Sequence, residues 1–214
     1  MGKNQEYKNA ALASLKGRWP QSIIATFAVM VASGLMTLAM WIVSRMGLLD
    51  IENSPATVAV VVVVLMLYAV FLMMPLMVGC INAFNRLYYQ SDRAVLSNMK
   101  DLALTDMLRS VAGMFMMSVV TSVYSAALLV PGVMASLSLF LTPYLLKDNP
   151  ELSLTDTLRL SRNMMRGHKM QLFKLQLSFL GWGVLNVLTL GLGSLWLVPY
   201  MLTTMAAFYQ DVRE

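Results

Sequence analysis

The chain has 214 residues, of which 58% are hydrophobic and 13% charged, with a formal net charge of +5 and a single cysteine. That charge content is about half of what a soluble domain carries, and one cysteine excludes an internal disulfide framework. The basic balance is what a membrane protein with cationic cytoplasmic loops would show, so no nucleic-acid partner is expected.

The apolar residues are gathered rather than dispersed. Ile23–Ser44, Thr57–Ala83, Val111–Leu146 and Leu175–Gln210 contain no Asp, Glu, Lys or Arg. Uncharged blocks of about 18 or more apolar residues are the signature of membrane-spanning helices. The expected fold is therefore all-α: one integral membrane domain over residues 1–214, with about six transmembrane helices in three hairpins and amphipathic helices at the cytoplasmic interface.

In chain order, Tyr7, Ala11, Leu15 and Trp19 recur every four residues, one stripe of a helix. Lys8, Lys16 and Arg18 flank that stripe, so a short helix lying in the interface is expected, with Trp19 at headgroup depth and Pro20 at the bend. Glu6 stands where a myristoylation signal needs Ser or Thr, and the apolar run after Trp19 is too long for a cleaved leader. The first span, about Ile23–Val43, carries Ala25, Ala28, Ala32 and Ala39 along one side, a seam that lets helices approach closely in lipid. Arg45–Ala56 forms a loop, and its Asn53-Ser54-Pro55 is no glycosylation acceptor. The second span, about Thr57–Ala83, opens on a β-branched run that a bilayer still forces into a helix, and Pro75 predicts a kink.

Asn85–Ser110 is polar, with a helical stripe at Leu104, Leu108, Val111 and Phe115. Val111–Leu146 reads as two helices of about eighteen residues meeting at Pro131-Gly132, each about 27 Å long. Ser153-x-x-Asp156 marks a helix start and Gly167 a helix end. A last hairpin runs from about Gln171 to Tyr209 and turns at Gly191 and Gly193. Leu104-Thr105-Asp106-x-Leu108-Arg109 recurs as Leu154-Thr155-Asp156-x-Leu158-Arg159, and Pro75 and Pro199 are each followed nine residues later by the Phe of an Ala-Phe pair. Three repeated units of interfacial helix, outward helix and returning helix are one reading; chance likeness among apolar sequences is the other. In the six-span layout every Lys and Arg except Arg45 falls on one side, which puts both termini in the cytoplasm.

The run Ser161–Lys169, with Gly181, Trp182, Gly191, Gly193, Pro199, Tyr200 and Phe208–Tyr209, resembles a family of bacterial integral membrane proteins known only as domain of unknown function nine-seven-five. Ala13–Trp19 echoes the basic-aromatic start of that family. The resemblance implies a polytopic protein of the bacterial inner membrane and brings no catalytic or ligand-binding residues with it.

The residues offer little catalysis. His168 lies between basic neighbours, Cys80 has no activating base nearby in sequence, and Gly191-x-Gly193 lacks the rest of a phosphate loop. The carboxylates are scattered among cations. No enzyme activity, no cofactor and no metal site are expected. Two functions remain. In the first, Arg159, Arg162, Arg166, His168 and Lys169 form a cationic face for anionic lipid headgroups or a membrane partner, so the chain serves as a scaffold or accessory subunit, alone or as a homo-oligomer. Ordinary positive-inside anchoring explains the same charges. In the second, a small-solute or lipid transporter, Asn82, Tyr144, Asn186 and Tyr200 line a site near the bilayer midplane, with Pro199 breaking a helix beside it.

Overall fold

The computed structural model describes residues 2–47, 55–90, 94–104 and 107–213. Among them every regular element is helical. Four helices are long and apolar enough to cross a membrane: Trp19–Arg45, Pro55–Tyr89, Met107–Ala126 and Val130–Asp148. The chain thus has the makeup of a membrane protein.

Helix α1 (Gly2–Leu15) carries the expected stripe, since Tyr7, Ala11 and Leu15 are buried. The stripe faces protein rather than lipid: it packs on the C-terminal parts of α4 (Met74–Tyr89) and α12 (Ser194–Arg213). The bend into α2 (Trp19–Arg45) is made at Gly17, whose φ of 78° suits a residue without a side chain, and Pro20 sits in the first turn of α2, where no amide bond is lost. The alanine seam of α2 is its contacted side. Ala25 is buried, Ala28 and Ala32 are half-buried, and the Tyr68 hydroxyl donates to the Ala32 carbonyl at 2.6 Å. Ile24, Phe27, Leu35, Leu38 and Trp41 are exposed.

Helix α3 (Pro55–Tyr68) continues through a π-helical turn at Ala69–Met73 into α4. The kink expected at Pro75 takes this form. Proline has no N–H to give, and a wide turn just ahead, closed by the Met74 amide on the Ala69 carbonyl, absorbs the loss. Helix α5 (Val95–Leu104) lies along α4, with Val95 and Met99 against Phe84 and Leu87.

The expected break at Pro131-Gly132 occurs a few residues earlier, and a second break follows. Helix α6 (Met107–Ala127) ends, Leu128 is extended with φ −164°, and α7 (Leu129–Leu139) begins with Pro131 in its first turn. Proline is tolerated there because the amides of a first turn have no partner in the helix. Gly132 is what the reversal needs, since a Cβ at that position would lie 2.8 Å from Ser125 Cα. Phe140 and Leu141 then separate α7 from α8 (Thr142–Asp148). The stripe expected at Leu104, Leu108, Val111 and Phe115 is divided between α5 and α6, and only Val111 is buried. The residues between, Thr105 and Asp106 of the first repeat copy, lie outside the described residues, as do most of the Arg45–Ala56 loop and Asp92 and Arg93.

Helix α9 (Leu154–Met164) starts as expected: Ser153 Oγ accepts from the Asp156 amide at 3.1 Å and donates to its carboxylate. It ends before Gly167, at φ 86°. Helices α10 (Lys169–Leu177) and α11 (Leu180–Leu188) follow, and the turn into α12 uses Gly191 at φ 87°. The paired Pro…Ala-Phe motifs lie on two helices that pack on each other, with Pro75 in the first turn of α4 and Pro199 inside α12. Phe84 on α4 and Phe208 on α12 are both fully buried in cores at the junction of these two packed helices. Burying each ring is worth about 2–3 kcal/mol.

Candidate functional site

Polar side chains hold the packed end of the molecule together. Asp211 accepts from the Tyr7 hydroxyl at 2.7 Å and from Lys3 Nζ at 2.8 Å, and Gln171 Nε2 donates to Tyr7. Burial pushes the Asp211 carboxyl upward, but the bonds from Lys3 and Tyr7 outweigh it and hold the group below the usual carboxylate range. Burial, and then the bond to Asp211, push the Tyr7 hydroxyl well above its ordinary value. Asp148 accepts from Tyr209 at 2.6 Å and Arg213 at 2.8 Å, and Gln210 donates to Asn85 at 2.8 Å. This network fastens α1, α4, α8, α10 and α12 into one body. No group of three or more metal-ligating side chains occurs among the described residues.

A cationic groove lies beside it. Arg162, Arg166 and Lys169 line a cavity of about 410 Å³ whose other walls are Tyr124, Val130, Pro131, Met134, Ala135 and Ser138. Arg162 stands over the Tyr124 ring, 5.9 Å from its centroid. Helix α9 is fixed to α7 by the Ser161 hydroxyl, which donates to the Ser138 carbonyl at 3.0 Å, and by the fully buried Met165. Three of the five cationic-face residues read from the sequence therefore converge. Arg159 does not join them; it is exposed and faces Asp156 at 3.4 Å. His168 stands just ahead of α10 without a capping bond, and its Nδ1 faces Gln171 Oε1 at 3.3 Å. Lys169 reaches the groove although the break at Gly167 takes it off the α9 stripe, because the turn there folds α10 back toward α7.

The groove also joins what the six-span layout separates. That layout puts the Pro131-Gly132 reversal and the Arg162–Lys169 run on opposite faces of the bilayer. In the structure they share one cavity, because α9 runs back along α7. A second basic groove of about 780 Å³, lined by Lys3, Lys8, Lys174, Gln171 and Ser178 among others, lies between α1 and α10. No spacing in the sequence pairs these lysines, since α1 and α10 are more than 150 residues apart.

The four polar residues expected to line a midplane site divide into two pairs. Asn82 is buried in α4 and donates to the Val78 and Pro143 carbonyls at 2.9 and 2.8 Å. Tyr144 is buried and stacks on Tyr209 with centroids 4.6 Å apart. Both are parts of the packing. Asn186 and Tyr200 instead line a common cavity with Trp19, Trp182 and Trp196. The sequence signal for that cavity was its tryptophans, three of the four in the chain.

No curated protein and no solved structure matches the chain. The family described as "Protein of unknown function (DUF975)" matches residues 52–214, which include α3 to α12 and the whole cationic groove. The basic run, the paired glycines of the last turn and the Pro199–Tyr209 helix all fall within that match, and the chain belongs to the DUF975 family.

Proposed function

We propose that this protein is a non-enzymatic, multi-pass protein of the bacterial inner membrane, with both termini cytoplasmic, that acts as a scaffold or accessory subunit and holds an anionic phospholipid in the Arg162–Arg166–Lys169 groove. The convergence of those three cations over an apolar floor of Val130, Pro131 and Met134 carries the reading. A phospholipid needs both parts: fixed cations for its phosphate and a greasy wall for the first methylenes of its chains. For the groove to lie at headgroup depth on the cytoplasmic side, the α6–α7 pair is re-entrant and its Gly132 reversal stays in the cytoplasmic leaflet. Helix α2 and the Pro55–Tyr89 run then supply the complete crossings nearest the N-terminus.

Each cation near an anionic headgroup contributes about 1 kcal/mol, so changing Arg162, Arg166 and Lys169 together to Gln lowers affinity for phosphatidylglycerol roughly 100-fold. Native mass spectrometry of detergent-purified protein titrated with phosphatidylglycerol and phosphatidylcholine reads this directly. The same loss in a Lys3, Lys8 and Lys174 to Gln variant, or equal retention of both lipids by the wild type, sinks the assignment. A cysteine at Gly132 is expected to react with membrane-impermeant maleimide from the same side as a cysteine at Arg166.

The transporter reading keeps one observation in its favour, the cavity shared by Asn186 and Tyr200 next to the proline-containing α12. Solute uptake by proteoliposomes that is lost in Asn186→Leu would support it over the accessory role.

A further inference from the structure

Charge in the groove between α7 and α9 is unbalanced. Its wall carries three cations, Arg162, Arg166 and Lys169, and no carboxylate. None of the three belongs to an ion pair among the described residues, where the pairs join Lys3 to Asp211, Arg159 to Asp156 and Arg213 to Asp148. Nor do they spring from one point. Arg162 lies in the last turn of α9, Arg166 follows four residues later, and Lys169 opens α10. Four residues are about 6 Å of helical rise, so the two guanidinium groups start from different levels of the wall. Arg162 is drawn toward α6 by the Tyr124 ring, whose centroid is 5.9 Å away.

The apolar side is broad as well. Val123 of α6, Leu128 at the break and Val130, Val133 and Met134 of α7 are all exposed, so apolar surface continues from the floor of the groove around the reversal. A lipid with one phosphodiester brings a single negative charge and two chains. It leaves two of the three cations unmatched in a setting less polar than water, where an uncompensated charge is costly. A lipid with two phosphodiesters gives each guanidinium fork its own phosphate, and its four chains use the wider apolar face. We propose that the groove selects a two-phosphate lipid of the diphosphatidylglycerol type, with Arg162 holding one phosphate and Arg166 the other, an assignment that rests on the groove being a lipid site and narrows its ligand. Lys169 adds the third positive charge against the pair.

Native mass spectrometry of the detergent-purified full chain tests it, with separate titrations of tetraoleoyl cardiolipin and of dioleoyl phosphatidylglycerol, phosphatidic acid and phosphatidylcholine. Cardiolipin is expected to bind about tenfold more tightly than phosphatidylglycerol, the worth of one further charge-assisted contact. Phosphatidylcholine is expected to be weakest. Arg166→Gln, at an exposed position, is expected to shrink the cardiolipin-to-phosphatidylglycerol ratio to about twofold. A ratio is not moved by a general loss of affinity common to all lipids. Equal affinity for cardiolipin and phosphatidylglycerol overturns the two-phosphate assignment and leaves the lipid groove in place. Phosphatidic acid, whose single phosphate carries more than one charge at neutral pH, overturns it too if it binds as tightly as cardiolipin. So does a ratio unchanged in Arg166→Gln, which would mean that chains rather than phosphates are selected. No preference for any anionic lipid over phosphatidylcholine removes the lipid site and this assignment together. The lipid series is read on the wild type, so it decides the matter even if the variant fails to fold.

Discussion

Helices α2 and α12 are similar in apolar content, yet they live in different surroundings. Along α2 beyond Thr26, Phe27, Val31, Leu35, Leu38 and Trp41 make one exposed face, while Ala28, Ala32 and Ala39 are only half-buried. Along the second half of α12, everything from Thr203 to Gln210 is buried. Hydropathy separates them in part, since α2 is among the helices apolar enough to cross a membrane and α12 is not, but lipid and protein interior solvate a leucine about equally well, so it does not say what each face meets. Polar residues do. In α12 and its neighbours Tyr209 finds Asp148, Gln210 finds Asn85, and Asn82 finds the Pro143 carbonyl. In the outer part of α2, Ser33 and Thr37 bond only to carbonyls of their own helix. Polar bonds between helices therefore gather at the packed end, although Tyr68 of α3 also reaches the Ala32 carbonyl of α2.

The sharpest test of that contrast is a matched pair of truncations. Phe208→Ala empties a fully buried site and is expected to cost about 3–5 kcal/mol, whereas Phe27→Ala stays within about 0.5 kcal/mol. Thermal unfolding of detergent-purified variants, followed by circular dichroism, separates them; equal losses would mean that α2 is packed against protein after all. A smaller effect is expected at two glycines. Gly132→Ala drives a methyl into Ser125 across the α6–α7 reversal and costs about 1–3 kcal/mol. Gly183→Ala, in α11 with open space around it, gains up to about 1 kcal/mol of helix stability. The same melting assay reads both, and opposite signs are required.

The smallest effect concerns acid. The folded pKa of Asp211 is depressed, so its bonds to Tyr7 and Lys3 contribute fully above the unfolded carboxylate value of about 3.9. That contribution is lost as the pH falls through the folded value. Asp211→Asn is expected to cost about 1 kcal/mol at neutral pH, since Lys3 is half exposed and the pair partly screened, and to flatten the acid limb of the melting temperature against pH. An unchanged acid limb would remove Asp211 from the network that fastens α1 to α12.

Much of this contrast was legible in the sequence and some was not. The uncharged blocks gave helices in place of strands, Ser153-x-x-Asp156 and Gly167 bracketed α9, and Gly191 turned the chain into α12, because caps and positive-φ glycines act within a few residues of themselves. The Tyr7–Leu15 stripe was equally plain, but not what it faces: an apolar stripe suits a lipid surface and a protein surface alike. Arg162, Arg166 and Lys169 were readable as cations near one another. That α9 would return them to the Pro131-Gly132 reversal depends on a bond between Ser161 and Ser138, which no local pattern announces. Likewise Asn82 and Asn186 look the same in sequence, and only tertiary placement lets Asn82 donate to a carbonyl of another helix, at Pro143.

The helical run from Pro55 to Tyr89 has 35 residues, hence about 52 Å of length against roughly 30 Å of hydrocarbon. One rod therefore meets two surroundings: its valine-rich beginning has no buried residue, as suits a bilayer, and its own protein encloses its end. The wide turn at Ala69–Met73 sits where that change of surroundings must come, loosening the helix so that each part can take the tilt its own neighbours impose.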